Sequence, residues 1–103
     1  MMKVAFKMKL KPGFKEEYQK RHHAIWPELV DLLKEKGVYD YTIFLDEETD
    51  ILFAVQMLSQ DSSQDLGQEE VVQKWWAYMA DIMETNADHS PLTVSLVTVF
   101  HLN

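Results

Sequence analysis

Tyr18 and His22 stand one helical turn apart in a run, residues 14–36, whose apolar positions recur at helical spacing. A tyrosine and a histidine at i and i+4 point the same way, so both can act on one ligand. An imidazole with an ordinary pKa of about 6.5 gives and takes protons near neutrality, which is the chemistry of general acid–base catalysis. The same pair also fits a partly buried histidine satisfied beside a core tyrosine, and position alone leaves both readings open. Trp75-Trp76 is the second unusual feature. Adjacent side chains on a helix diverge by about 100°, so the pair straddles an edge of any apolar stripe. Either both close a small core, or one packs while the other lines a cleft. An indole face offers flat apolar surface to the C–H face of a sugar, and its N–H needs a partner. Tyr41 adds a hydroxyl on a strand face that also carries Ile43. If Tyr18, His22, Tyr41 and a tryptophan meet between helix and sheet, the pocket is neutral, aromatic and rich in hydroxyls. It then suits an uncharged polyhydroxylated ligand better than a phosphate or a carboxylate.

Other chemistries lack their residues. The chain has no cysteine, hence no thiolate nucleophile, disulfide framework or cysteine zinc site. His22 and His23 diverge along a helix, His89 and His101 lack a partner pattern, and no HExxH occurs, so no metal site is expected. There is no glycine-rich phosphate loop and no GxSxG elbow. Glu16-Glu17 and Glu47-Glu48 read as solvated faces. Asp88 is either a neighbour of the cleft or a turn residue.

The elements that must position these residues follow from periodicity. Residues 4–10 alternate, with Val4, Phe6, Met8 and Leu10 on one face and Ala5, Lys7 and Lys9 on the other, as in a half-buried strand. Pro12-Gly13 ends it in a turn. In the helical run 14–36, Phe14, Tyr18, His22, Ile25, Leu29, Leu32 and Leu33 form the stripe. Pro27 lies within that span and predicts a kink near Trp26 that leaves room beside His22; the other possibility is a new helix with Pro27 at its first position. Gly37 stops the helix. Residues 39–45 predict a strand with Tyr39, Tyr41, Ile43 and Leu45 on one face and Asp40, Thr42 and Phe44 on the other, joined by the polar loop 46–50 to a strand over 51–58 that is apolar on both faces. Residues 59–70 are polar and contain Gly67: a loop or a weakly formed helix start. A second helix is expected over 71–83, with Val72, Trp75, Trp76, Met79, Ile82 and Met83 inward, then a turn-rich link and a last strand over 94–102.

That order, strand-helix-strand-strand-helix-strand, fits two split β-α-β units: an α+β domain over 1–103 with an antiparallel sheet and two helices on one face. The helices leave the other face bare. Phe44, Leu52, Ala54 and Leu58, or some of them, then need a cover, and a second subunit supplies it most cheaply. A composition of 47% apolar and 26% charged residues is that of a globular domain rather than a disordered one. A net charge of −7 without a basic cluster argues against nucleic acid and against an anionic membrane surface. The start of the chain lacks signal-peptide features, and no stretch approaches roughly 18 uncharged apolar residues.

One constellation goes further. Glu17-Tyr18 with Arg21-His22, then Ile25-Trp26-Pro27-Glu28-Leu29, Tyr41, Trp75-Trp76-Tyr78-Met79 and Ser90-Pro91 together resemble the L-rhamnose mutarotase family along essentially the whole chain. The resemblance implies a ferredoxin-like α+β fold assembling as a dimeric α+β barrel. It implies a small cytoplasmic homodimeric isomerase that interconverts the α and β anomers of L-rhamnose with no cofactor. It also implies that His22 is the active-site histidine and that Tyr18, Tyr41, Trp75 and Trp76 contact the sugar. Mutarotation opens the pyranose ring, with an acid at the ring oxygen and a base at the anomeric hydroxyl. His22 is the candidate acid; the base is another side chain or a water. Two further readings stay open: another cofactor-free or haem-degrading enzyme of the same barrel class, for which a reaction coupled to oxygen consumption would speak, and a non-catalytic sugar-binding domain.

Overall fold

The computed structural model describes residues 2–59 and 66–103. Its elements are β1 (Met2–Lys9), α1 (Lys15–His23), α2 (Pro27–Glu35), β2 (Val38–Asp46), β3 (Ile51–Leu58), α3 (Glu70–Met79) and β4 (Val94–Ser95). The sheet order is β2-β3-β1-β4 and every pairing is antiparallel. This is the α+β arrangement expected, with a ferredoxin-like strand order. Of the polar run 59–70, residues 60–65 lie outside the described residues; Leu66–Gln68 forms one turn of 3-10 helix ahead of α3.

Alternation sets the inner face. Met8 pairs with Leu52 and Phe6 with Ala54, and these side chains meet Tyr18, Leu29, Val72, Trp75 and Met79 from the helices in one core. Leu52, Ala54 and Leu58 therefore lie under the helices, contrary to the expectation that they need a second cover. The bare face of β3 carries Ile51, Phe53, Val55 and Met57 instead, beside Phe44 of β2, which is 59% exposed.

Four boundaries differ from the periodicity reading. The run 14–36 is two helices rather than one kinked helix: Trp26 is extended at φ −64°, ψ 130°, and Pro27 opens α2 at a position where its missing N–H has no partner to lose. In β2 the ladder slips one residue between Tyr39 and Thr42, with Asp40 at φ 48°. Tyr39 consequently pairs with Met57 and shares its outer face, not that of Ile43. α3 stops at Met79 although Ile82 and Met83 remain buried. There the backbone turns to join the end of β1, with Lys11 N–H donating to Ile82 O (2.9 Å) and Glu84 N–H to Lys9 O (3.1 Å). β4 is two residues long, Val94 opposite Lys7 and Ser95 opposite Phe6. Beyond the Leu96 N–H bond to Ala5 O, the tail is extended and bare, with Val97 84% and Val99 94% exposed. Among the described residues no helix is long and apolar enough to cross a membrane.

Gly37 ends α2 at φ 84° and its carbonyl accepts from Ser59 N–H at 2.9 Å. A Cβ in this left-handed region costs about 1–2 kcal/mol. Gly37→Ala should lower the unfolding free energy by that amount in urea melts, and Gly37→Asn by less; equal stability of Gly37→Ala and the parent would contradict the assigned cap.

Candidate active site

The site begins with one turn of α1. Glu16 and Glu17 sit in its first turn and Lys20, Arg21, His22 and His23 in its last, matching the helix dipole at both ends. Tyr18 is buried against the sheet, and the His22 ring stacks on it with centroids 4.3 Å apart and planes 29° from parallel. His22 Nδ1 lies 3.0 Å from the Tyr18 carbonyl oxygen. A carbonyl only accepts, so Nδ1 carries the hydrogen and Nε2 is the nitrogen left for a ligand. Burial lowers the His22 pKa, opposed by that hydrogen bond and reinforced slightly by His23. The resting ring is therefore the neutral Nδ1–H tautomer, with a lone pair on Nε2.

The His22 ring also meets Trp75, edge-on with centroids 5.4 Å apart. The tryptophan pair divides as a helix edge requires. Trp75 is 9% exposed and belongs to the core; Trp76 is half-buried and packs against that core from the side. The Trp76 ring comes so close to Gly67 that a Cβ there would sit 3.2 Å from it, and Gln73 Nε2 holds this turn by donating to the Gly67 carbonyl at 2.7 Å.

Tyr41 enters from the sheet, just after the slipped residue. It is 38% exposed as a residue; burial raises its pKa, and a hydrogen bond from the Gln56 side chain pulls the other way. The Tyr18 pKa is raised as well, by burial first and by the neighbouring Tyr41 second. Both phenols thus stay protonated and present O–H donors across the working range of pH. One cavity is lined by Tyr18, His22, Tyr41, Gln56, Trp75 and Trp76. All five residues singled out from the sequence lie around it.

Asp88 is a turn residue: exposed, it accepts from Ser90 N–H at 3.0 Å and from the Ser90 hydroxyl. Three neighbours carried no assigned role in the sequence reading. Gln56 is the one polar residue on the otherwise apolar inner face Leu52, Ala54, Gln56, Leu58, and that interruption was a legible signal. Trp26 meets Trp75 edge-on at 5.0 Å, and Tyr78 stacks on Trp26 at 5.7 Å. Neither contact has a spacing signature, because Trp26 leaves the helical path before Pro27.

Comparison with known proteins bears on this geometry. The family model described as L-rhamnose mutarotase matches residues 3–102. The chain belongs to the L-rhamnose mutarotase family. Members similar to it include the L-rhamnose mutarotase of Phocaeicola vulgatus, 59% identical over 104 residues, and that of Sinorhizobium fredii, 60% identical over 104 residues, with all of each chain covered in both cases. The crystal structure of the L-rhamnose mutarotase from Formosa agariphila superposes with a TM-score of 0.95 at 50% identity, covering 100% of both chains. The family fold is thus the frame on which this aromatic cavity is built.

The division of the tryptophans has a measurable consequence. Trp75→Ala should cost about 3–5 kcal/mol of stability, the range for a large buried aromatic, and Trp76→Ala clearly less. Chemical denaturation of the two variants checks the order, and an equal loss would mean that Trp76 is as much a core residue as Trp75.

Proposed function

We propose that the chain is an isomerase interconverting the α and β anomers of L-rhamnose, with His22 Nε2 as the group that moves the proton. The reading is carried by the neutral His22 ring, fixed by its Nδ1–H bond to the Tyr18 carbonyl and packed against Tyr18 and Trp75 in an aromatic cavity. Nε2 takes the proton of the anomeric hydroxyl. The C1–O5 bond breaks as the C1=O1 double bond forms, and Nε2–H returns the proton to the ring oxygen. Rotation about C1–C2 and the reverse steps close the ring on its other face. One nitrogen thus serves as base and then as acid, and the proton count balances without another reactant. Tyr18 and Tyr41 donate hydrogen bonds to sugar oxygens, and Trp75 and Trp76 pack on its C–H face and methyl group.

A homodimer belongs to the same reading. The bare sheet face, with Phe44, Phe53, Val55 and Met57, and the apolar tail, with Val97, Val99 and Phe100, are surfaces that a second copy would cover. A cytoplasmic location belongs to the same reading through the family resemblance, and the cysteine-free sequence fits a reducing compartment.

Exchange between anomers at equilibrium, followed by magnetisation transfer between the two anomeric proton signals, tests the activity. His22→Ala should slow exchange by about 10²–10⁴-fold while the protein stays folded, and His23→Ala should change it little. Because the neutral ring starts the cycle and its pKa lies below the usual value, the rate should be flat above neutrality and fall on acidification below pH 6.5. A rate that instead falls as pH rises from 6 to 8 would require Nε2 to enter protonated, with a separate base. Sugar binding without exchange above a protein-free blank would make this a binding domain, and consumption of oxygen would move it to another enzyme of the same architecture.

The dimer is tested by mass. Light scattering at micromolar concentration should give about twice the 12.1 kDa chain mass, and a stable monomer would refute the assembly.

A further inference from the structure

Arg21 precedes His22 on α1 but turns away from the cavity, into the seam between α1 and the end of α3. Its side chain is only 11% exposed. Four bonds and one stacking contact hold the guanidinium. Nε donates to Glu17 Oε2 at 2.8 Å, Nη1 to Asp81 Oδ1 and to the Tyr78 carbonyl, both at 2.8 Å, and Nη2 to Asp81 Oδ2 at 3.2 Å. Cζ lies 4.6 Å from the centre of the Tyr78 ring. A planar fork bonded on several sides has one position, whereas an ammonium on a flexible stem has many.

That position is passed on by contact. The Tyr78 ring under the guanidinium lies 5.6 Å from Trp75 and stacks on Trp26, which meets Trp75 from another side. Trp75 in turn faces His22. We propose that Arg21 is a positioning residue for proton transfer, holding the His22 ring in place through Tyr78 and Trp75 while tying α1 to the end of α3. The proposal rests on the mutarotase reading of His22 and adds to it a residue that touches no substrate. A clamp of this kind matters because a reacting group displaced by about 1 Å can lose on the order of 10²-fold in rate.

Three variants test it. Arg21→Met keeps the length and removes every bond; Arg21→Lys keeps the charge and loses the fork; Asp81→Asn alters one arm at a side chain that is itself mostly exposed. Anomer exchange is measured over a range of L-rhamnose concentrations, and the imidazole carbon-bound proton of His22 is titrated by NMR in each folded variant. Arg21→Met should lower kcat by about 10–100-fold with KM changed far less. Arg21→Lys should recover little of that loss, and Asp81→Asn should give a smaller loss of the same kind. The His22 titration should move up towards its ordinary value as Trp75 stops covering the ring. If Arg21→Met does not fold, Arg21→Lys and Asp81→Asn carry the test on the same readings. An unchanged kcat in the folded Arg21 variants, or a lost rate with an unmoved His22 titration, overturns the proposal. The underlying reading fails separately, when the unmutated protein shows no exchange or His22→Ala exchanges as fast as it does.

Discussion

Pro27 has no amide hydrogen to return to a carbonyl one turn back, and its ring crowds the backbone before it. The chain resolves this by leaving the helical path at Ala24 and starting again at Pro27. Much follows from that break. Lys20 and His22 still find donors for their carbonyls, in the N–H groups of Ala24 and Ile25 at 3.2 and 3.3 Å. Trp26, released from helical spacing, stands across Trp75 and Tyr78 and ties the two helical regions together. α1 keeps Tyr18 and His22 one turn apart, while α2 sends Leu29 into the core. An unbroken helix would have carried the Trp26 ring past α3 on its own phase.

The scaffold engages carboxylates around α1: Arg21 holds Glu17 and Asp81, and Lys15 pairs with Glu47 at 3.0 Å. The Asp81 carboxyl is held below the usual range chiefly by that bond. What moves the His22 pKa is accordingly burial first, not a neighbouring carboxylate. A ring shifted in this way rests neutral, which is the form needed to accept a proton from a hydroxyl. The protonated phenols and apolar indoles around it add no charge that would favour an anionic ligand.

Where one physical rule decided, the sequence was a sufficient guide. Strict alternation assigned Met8 and Leu10 to the core, and helical spacing placed Tyr18, His22, Trp75 and Met79 on inward faces. Gly37 marked the end of a helix because left-handed backbone there suits a residue without Cβ. Where two rules competed, pattern alone went astray. Ile82 and Met83 continue the apolar spacing of α3, but their backbone bonds to β1 and leaves the helix. The strand pattern of 94–102 is real, yet two residues pair within the chain, because pairing depends on a neighbour that alternation cannot name. The links between Arg21, Tyr78 and Trp75 are side-chain contacts between helices, and no local periodicity encodes those.

The slipped residue in β2 has a use of its own. Between Val38 and Ile43 the strand holds one residue more than its partner, with Asp40 in the left-handed region that Asp tolerates better than most side chains. In an unbroken ladder Val38 and Ile43, five residues apart, would face opposite ways; the slip lets both pair on the inner face, with Leu58 and Ala54, while Tyr39 and Thr42 pair on the outer one with Met57 and Val55. The extra residue thus works as a phase shifter: one backbone irregularity allows a strand whose sequence is out of step to keep both of its ends in register with the same layer.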